Sequence, residues 1–202
     1  MKIFEKITNA YQKKTPFVVY RKPKADVVSG FFMNTDALFY SEDFSEKGFV
    51  FAPFNNEQKA ILFPEELSEF ISEELFFKIL NFKERAFCTP DVSKDHHIQL
   101  VDKAIEEIIK NDLKKVVVSR KEVLEITEFN LIKIYQKLLQ TYNNAFVYVW
   151  YHPKIGLWLG ATPETLLDVE DTIFKTMSLA GTQVYKNIKN VVWKSKELEE
   201  QQ

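Results

Sequence analysis

Four places in the sequence combine residue types that can move a proton or hold an anion. A strand-like run, GLWLG (156–160), passes through ATPET and sets Glu164 just before two leucines, Leu166 and Leu167. A carboxyl held in a dry pocket binds its proton more tightly, so it can serve as a general acid near neutral pH. The competing reading is a first-turn acidic residue of a helix beginning at Pro163, where proline and carboxylates are favoured. Lys115 opens the run KVVVSR, directly before three valines. Desolvation there would let its amine accept a proton; otherwise Lys114 and Lys115 form a solvated turn. Gly181, in SLAGT (178–182), would let a backbone amide approach an anion closely, or would simply make a turn. Finally, Glu197, Glu199 and Glu200 cluster near the C-terminus, with Glu197 and Glu200 three residues apart. On a helix that spacing shares a face. Paired carboxylates suit Mg²⁺, although most such clusters are solvated faces.

The elements that must position these groups follow from hydrophobic periodicity. A helix is expected over Ile3 to Tyr11. It is followed by strands in PFVVYRKP, DVVSGFFMN, ALFYSE and GFVFAPFN, short Val- and Phe-rich runs bounded by Pro, Gly, Asn and Asp. The run PEELSEFISEELFFKIL predicts a helix with Pro64 in its first turn and Leu67, Phe70, Ile71 and Leu75 at helical spacing. A third helix is expected in HHIQLVDKAIEEIIKNDLKK, with Ile98, Val101, Ile105, Ile108 and Ile109 on one face and Ser93 or Asp95 at its start. Val116, Val117 and Val118 predict a buried strand. NLIKIYQKLLQTY predicts a helix with Leu131, Ile134 and Leu138 inward. AFVYVWYHP and GLWLGATPE predict a strand pair turning over Pro153 to Gly156, and TIFKTMSLAGTQ a last strand ending at Gly181. Strands, helices and strands in this order indicate an α+β fold, a mixed or antiparallel layered sheet with packed helices.

Composition narrows the class. With a net charge of −2 and no basic stripe, a nucleic-acid partner is set aside. The single cysteine, Cys88, permits no internal disulfide, which fits a reducing compartment. No apolar run approaches the roughly 20 residues that span a bilayer, and the N-terminus lacks the signal-peptide pattern. A cytoplasmic protein with no membrane partner is therefore expected. The histidines His96, His97 and His152 lack metal-ligand spacing, and no Gly-rich phosphate loop is present.

Taken together and in order, KVVVSR (115–120), WLGATPETLL (158–167), TMSLAGT (176–182) and KELEEQQ (196–202) resemble the chorismate-utilising enzymes, and within them the isochorismate synthases. GFVFAPF (48–54) and HIQLVDKAIEEI (97–108) share the likeness, which covers the chain from about Gly48 onward. The resemblance implies chorismate as the small-molecule substrate and Mg²⁺ as cofactor. It also implies Lys115 as the base that activates water, Glu164 as the general acid at the departing hydroxyl, and Ala180, Gly181 and Thr182 along the substrate. Glu200 is implied as a metal carboxylate, with Glu197 and Glu199 as neighbouring alternatives. Salicylate synthases, which go on to eliminate pyruvate, are the nearest competing members. The family pattern continues past Gln202 with a second metal carboxylate and an Arg and a Lys for the substrate carboxylates. The chain is accordingly expected to be the N-terminal portion of one chorismate-binding domain, with a first sheet and helix over 1–92 and the catalytic motifs over 93–202. Alone it is expected to be inactive or nearly so, with a half-domain surface that favours self-association.

Overall fold

The computed structural model of the chain describes residues 2–55, 57–75, 91–126 and 128–178, leaving aside the side chains of 91 and 92. The described residues fall into two units. One joins Met1–Ile79 to Leu131–Gln202; the other is Leu80–Asn130.

The first unit is built in three layers. Helix α1 (Lys2–Lys13) buries Ile3, Phe4, Ile7 and Ala10, an i, i+1, i+4, i+7 stripe. Its first free amides are satisfied from far along the chain. Glu73 accepts from the N–H groups of Lys2 at 3.2 Å and Ile3 at 3.0 Å, placing a carboxylate at the positive end of the helix. The helix stops at Lys14, which takes a left-handed φ of 55° while Thr15 N–H closes back on Ala10 O at 2.9 Å.

The middle layer is a five-stranded antiparallel sheet. It contains β1 (Phe17–Arg21), β2 (Val27–Met33), β6 (Ser68–Glu74), β7 (Phe146–His152) and β8 (Gly156–Thr162), in the order β6-β2-β1-β7-β8. Alternation sends Phe17, Val19, Phe32, Val147 and Val149 to one face. There they pack on α1 and on α3 (Leu131–Thr141), which buries Leu131, Tyr135 and Leu139. The opposite face presents Val18, Phe31, Met33 and Trp150 to a three-stranded sheet. That third layer comprises β3 (Phe39–Ser41), β4 (Gly48–Phe51) and β5 (Ala60–Pro64), ordered β3-β5-β4, with Phe49, Phe51, Ile61 and Phe63 turned inward. A small hairpin, β9 (Asp168–Glu170) with β10 (Ile173–Lys175), follows β8.

Arg21 ends β1 on the helix side and is almost fully buried. Its guanidinium donates to Leu139 O at 2.9 Å, to Tyr142 O and to Ala145 O at 3.3 Å, closing the carbonyl end of α3. Burial lowers its proton affinity from the ordinary arginine value.

The second unit holds α2 (Asp91–Lys110) and the segment 113–126, which has no regular secondary structure. Arg120 Nη1 donates to Ser93 Oγ at 2.9 Å and pairs with Glu122 at 3.4 Å, tying that segment to the start of α2.

The α+β class stands, with antiparallel sheets and packed helices. Four local expectations change. The helix expected from Pro64 is instead a single 3-10 turn (Glu65–Leu67) leading into β6. β2 would otherwise expose a row of unpaired backbone groups, and β6 pairs with it over seven residues, from Val27↔Glu74 to Met33↔Ser68. That pairing, with Phe70 set 5.0 Å from Phe31, overrides the helical spacing of the apolar residues. α2 begins at Asp91, ahead of Ser93 and Asp95. The fully buried side of α3 is Leu131, Tyr135 and Leu139, an i, i+4, i+8 stripe, with Leu138 half-buried against the same core and Ile134 outside it. The three valines form no buried strand: Val117 is 84% exposed. A strand buried on both faces needs sheet neighbours, and among the described residues none pairs with 113–126.

Candidate functional site

The strand pair β7–β8 delivers Glu164. The two strands align in full register from Phe146↔Thr162 to His152↔Gly156, and the turn between them closes with Ile155 N–H on His152 O at 3.0 Å. Gly156 takes a φ of +124°, which a residue with a Cβ rarely adopts. Gly160 answers a different need. The phenol of Tyr148 lies across it so closely that an added Cβ would stand 2.6 Å from the hydroxyl and 2.7 Å from Cζ. The glycine in WLGATPE thus makes room for a ring from the neighbouring strand. Burial raises the proton affinity of the Tyr148 hydroxyl.

β8 ends at Thr162, and no helix starts at Pro163; 163–167 is irregular and Glu164 is exposed. The helix-cap reading therefore gives way, and Glu164 stands just past the end of β8, the last strand of its sheet among the described residues. After Glu164 the chain runs out through the β9–β10 hairpin and returns to the same place. Met177 N–H donates to Thr165 O at 3.0 Å, and the Thr176 hydroxyl donates to Leu166 O at 2.7 Å. Two of the motifs singled out in the sequence, TPE and the opening of TMSLAGT, are therefore laced side by side. Thr176 is not among the candidate residues of the sequence, and nothing in its local pattern marks it. Its hydroxyl is recognised only once the hairpin brings 176 beside 166.

Lys115 lies in the second unit, exposed, at the start of the irregular segment after α2. His96 and His97 sit in the first turns of α2, His96 exposed and His97 half-buried. His152 is buried in the first unit. Its Nδ1 accepts from Lys154 N–H at 3.2 Å while Nε2 stands 3.4 Å from Ala37 O, and burial lowers its proton affinity. Ala180, Gly181, Thr182, Glu197, Glu199 and Glu200 lie outside the described residues. Among the described residues no group of three His, Cys, Asp or Glu is placed to hold a metal ion, and no helix is long and apolar enough to cross a membrane.

A family model described as "Chorismate binding enzyme" matches residues 59–191 of the 202. The chain belongs to the chorismate binding enzyme family. The matched span takes in Lys115, Glu164 and 180–182, and it ends before Glu200. No curated protein and no solved structure matches the chain. As a chorismate binding enzyme, it has chorismate as its small-molecule substrate. The junction of 163–166 with 176–177 lies inside the family span, whereas α1 and β1 to β4 precede it. Of those earlier elements, β1 and β2 belong to the sheet that carries β7 and β8.

Proposed function

We propose that this chorismate binding enzyme has the isochorismate synthase activity, moving a hydroxyl from C4 to C2 of the chorismate ring. What carries the reading is the family match across both proton-transfer candidates. The reaction consumes one water and releases one. The Lys115 amine takes a proton from water as its oxygen bonds to C2. The ring double bonds shift, the C4–O bond breaks, and Glu164 gives its proton to the departing hydroxyl. Lysine at position 115 supports water, rather than ammonia, as the nucleophile. Backbone amides around Gly181 and Thr182 would line the anionic substrate.

The cofactor proposed is Mg²⁺. Its candidate ligands here are Glu200 and its neighbours Glu197 and Glu199, a set of hard oxygen donors that fits this ion. When bound, the ion would neutralise a substrate carboxylate. Both proposed proton carriers are exposed in the present structure. General acid and base work at neutral pH depends on burial or a nearby charge to tune each group. Turnover by these 202 residues alone is thus expected to be slow.

The test is a stoichiometric incubation of the protein with chorismate and Mg²⁺, with products separated by chromatography. Isochorismate above the buffer rate, reduced about 100-fold or more in Lys115→Ala and in Glu164→Gln, is the expected result. Salicylate with pyruvate, or anthranilate from added ammonia, would overturn the reading.

A second reading, a non-catalytic interaction module, is favoured by one observation. Leu166, Leu167, Val169, Ile173 and Phe174, around the β9–β10 hairpin, are all exposed. A patch of that kind favours association. Light scattering separates the two: a monomer with isochorismate-forming activity removes the module reading.

A further inference from the structure

The far end of β8 carries a feature that the proton-transfer residues do not use. A cleft of about 470 Å³ opens between β4 and the β7–β8 turn, walled by Phe51, Phe54, Trp150, Ile155 and Trp158. This lies within the range of small-molecule sites, roughly 300–1,000 Å³. The two indoles stack with planes 3° apart and centroids 6.2 Å apart. The Phe51 ring leans over both, at 4.7 Å from Trp150 and 5.9 Å from Trp158. Trp158 is 49% exposed and Phe54 fully so, an aromatic surface left open to solvent beside a packed one.

Polar groups accompany the apolar walls. At the rim stand Gln58 and Lys59, the lysine 3.6 Å from Glu42 in an exposed pair and 5.6 Å from the Tyr40 ring. Exposed pairs of this sort contribute little, so the ammonium can turn to a ligand.

We propose that this cleft is a binding site for a flat aromatic carboxylate of one or two rings, distinct from the chorismate site. The rings would lie on Phe51, Phe54 and Trp158, with the carboxylate at the rim beside Lys59 and Gln58. Separation follows from the strand. Trp158 lies within β8 and Glu164 beyond its end, and the four strand residues after Trp158 alone rise about 13 Å. Charge also distinguishes the sites: chorismate carries two carboxylates and a puckered, non-aromatic ring, whereas this cleft offers one cation and aromatic walls.

The experiment titrates the ¹⁵N-labelled 202-residue chain with 2-naphthoate and, separately, with uncharged 2-naphthalenemethanol. Indole N–H resonances are followed, with Trp158 assigned by Trp158→Phe. Saturable shifts of the Trp150 and Trp158 indoles are expected, with Kd of about 1 mM or tighter. Trp158→Ala and Phe54→Ala should each weaken 2-naphthoate by about tenfold, the loss of one aromatic contact. Phe54 is fully exposed, so its variant tests the site without risk to the fold. Lys59→Ala should weaken 2-naphthoate severalfold and leave 2-naphthalenemethanol unchanged. Shifts that stay linear with ligand, or equal binding by Phe54→Ala and Trp158→Ala, would overturn the site. Equal weakening of both ligands by Lys59→Ala would overturn the carboxylate assignment. Neither outcome depends on turnover of chorismate.

Discussion

Replacing Gly160 by alanine tests how the strand that delivers Glu164 is held. A Cβ at this position would stand 2.6, 2.7 and 2.8 Å from Oη, Cζ and Cε1 of Tyr148. All three are closer than carbon and oxygen atoms tolerate, and they belong to one rigid ring, so the phenol must move as a unit. It is not free to do so: Phe146 lies 6.3 Å from its centroid and Phe51 5.9 Å. Overpacking of this kind costs about 1–3 kcal/mol. Alanine returns about 0.5–1 kcal/mol through lower unfolded-chain entropy. The net expectation is a destabilisation of about 1 kcal/mol, or about 2–4 °C in Tm. Urea unfolding followed by circular dichroism measures the first quantity, and a thermal scan the second. The decisive assay is a double-mutant cycle with Tyr148→Val. Removing the ring removes the clash, so Gly160→Ala should be neutral or stabilising in that background, with a coupling of about 1 kcal/mol or more. Gly160→Ala within about 0.3 kcal/mol of the parent, or strict additivity with Tyr148→Val, would refute the packing account of this glycine.

Further predictions concern the frame. Arg21→Met removes the donor to three carbonyls, that of Leu139 in the last turn of α3 and those of Tyr142 and Ala145 just beyond it, and urea unfolding should show a loss of about 3 kcal/mol; a loss below about 1 kcal/mol would contradict the capping role. His152 has a lowered proton affinity in the fold, so the unfolded chain takes up its proton first as pH falls. Its contribution is therefore complete above about pH 6.5 and declines as pH drops through the lower folded value. Tm should fall between about pH 7 and pH 5, and His152→Gln should flatten that slope; an equal slope in the variant would rule His152 out.

Legibility in the sequence depends on how local each signal is. The β7–β8 pair announces itself, because FVYVWYH and GLWLGAT are runs of strand length flanking a Pro-to-Gly turn. α1 and α3 are equally plain from their apolar stripes. β6 reads as a helix because Leu67, Phe70, Ile71 and Leu75 satisfy a helical period. Only the vacant edge of β2, 35 or more residues away, makes it a strand. β5 escapes a reading by pattern although AILFP is an apolar run of strand length, since no Gly, Asn or Asp separates it from the EELSEF run of the next strand. The candidate site divides in the same way. TPE and TMSLAGT are each visible as motifs, but their juxtaposition rests on hydrogen bonds between 165–166 and 176–177 that no local pattern encodes. The family match agrees with the chorismate resemblance those motifs carry.

The proposed chemistry makes a demand that the ammonia route does not share: the new oxygen at C2 comes from solvent. Incubating the protein with chorismate and Mg²⁺ in H₂¹⁸O, with mass spectrometry of the products, reads this directly. The account predicts isochorismate with a single ¹⁸O at the C2 hydroxyl, and no such product from Glu164→Gln. Unlabelled isochorismate, or pyruvate released in step with chorismate loss, would contradict it.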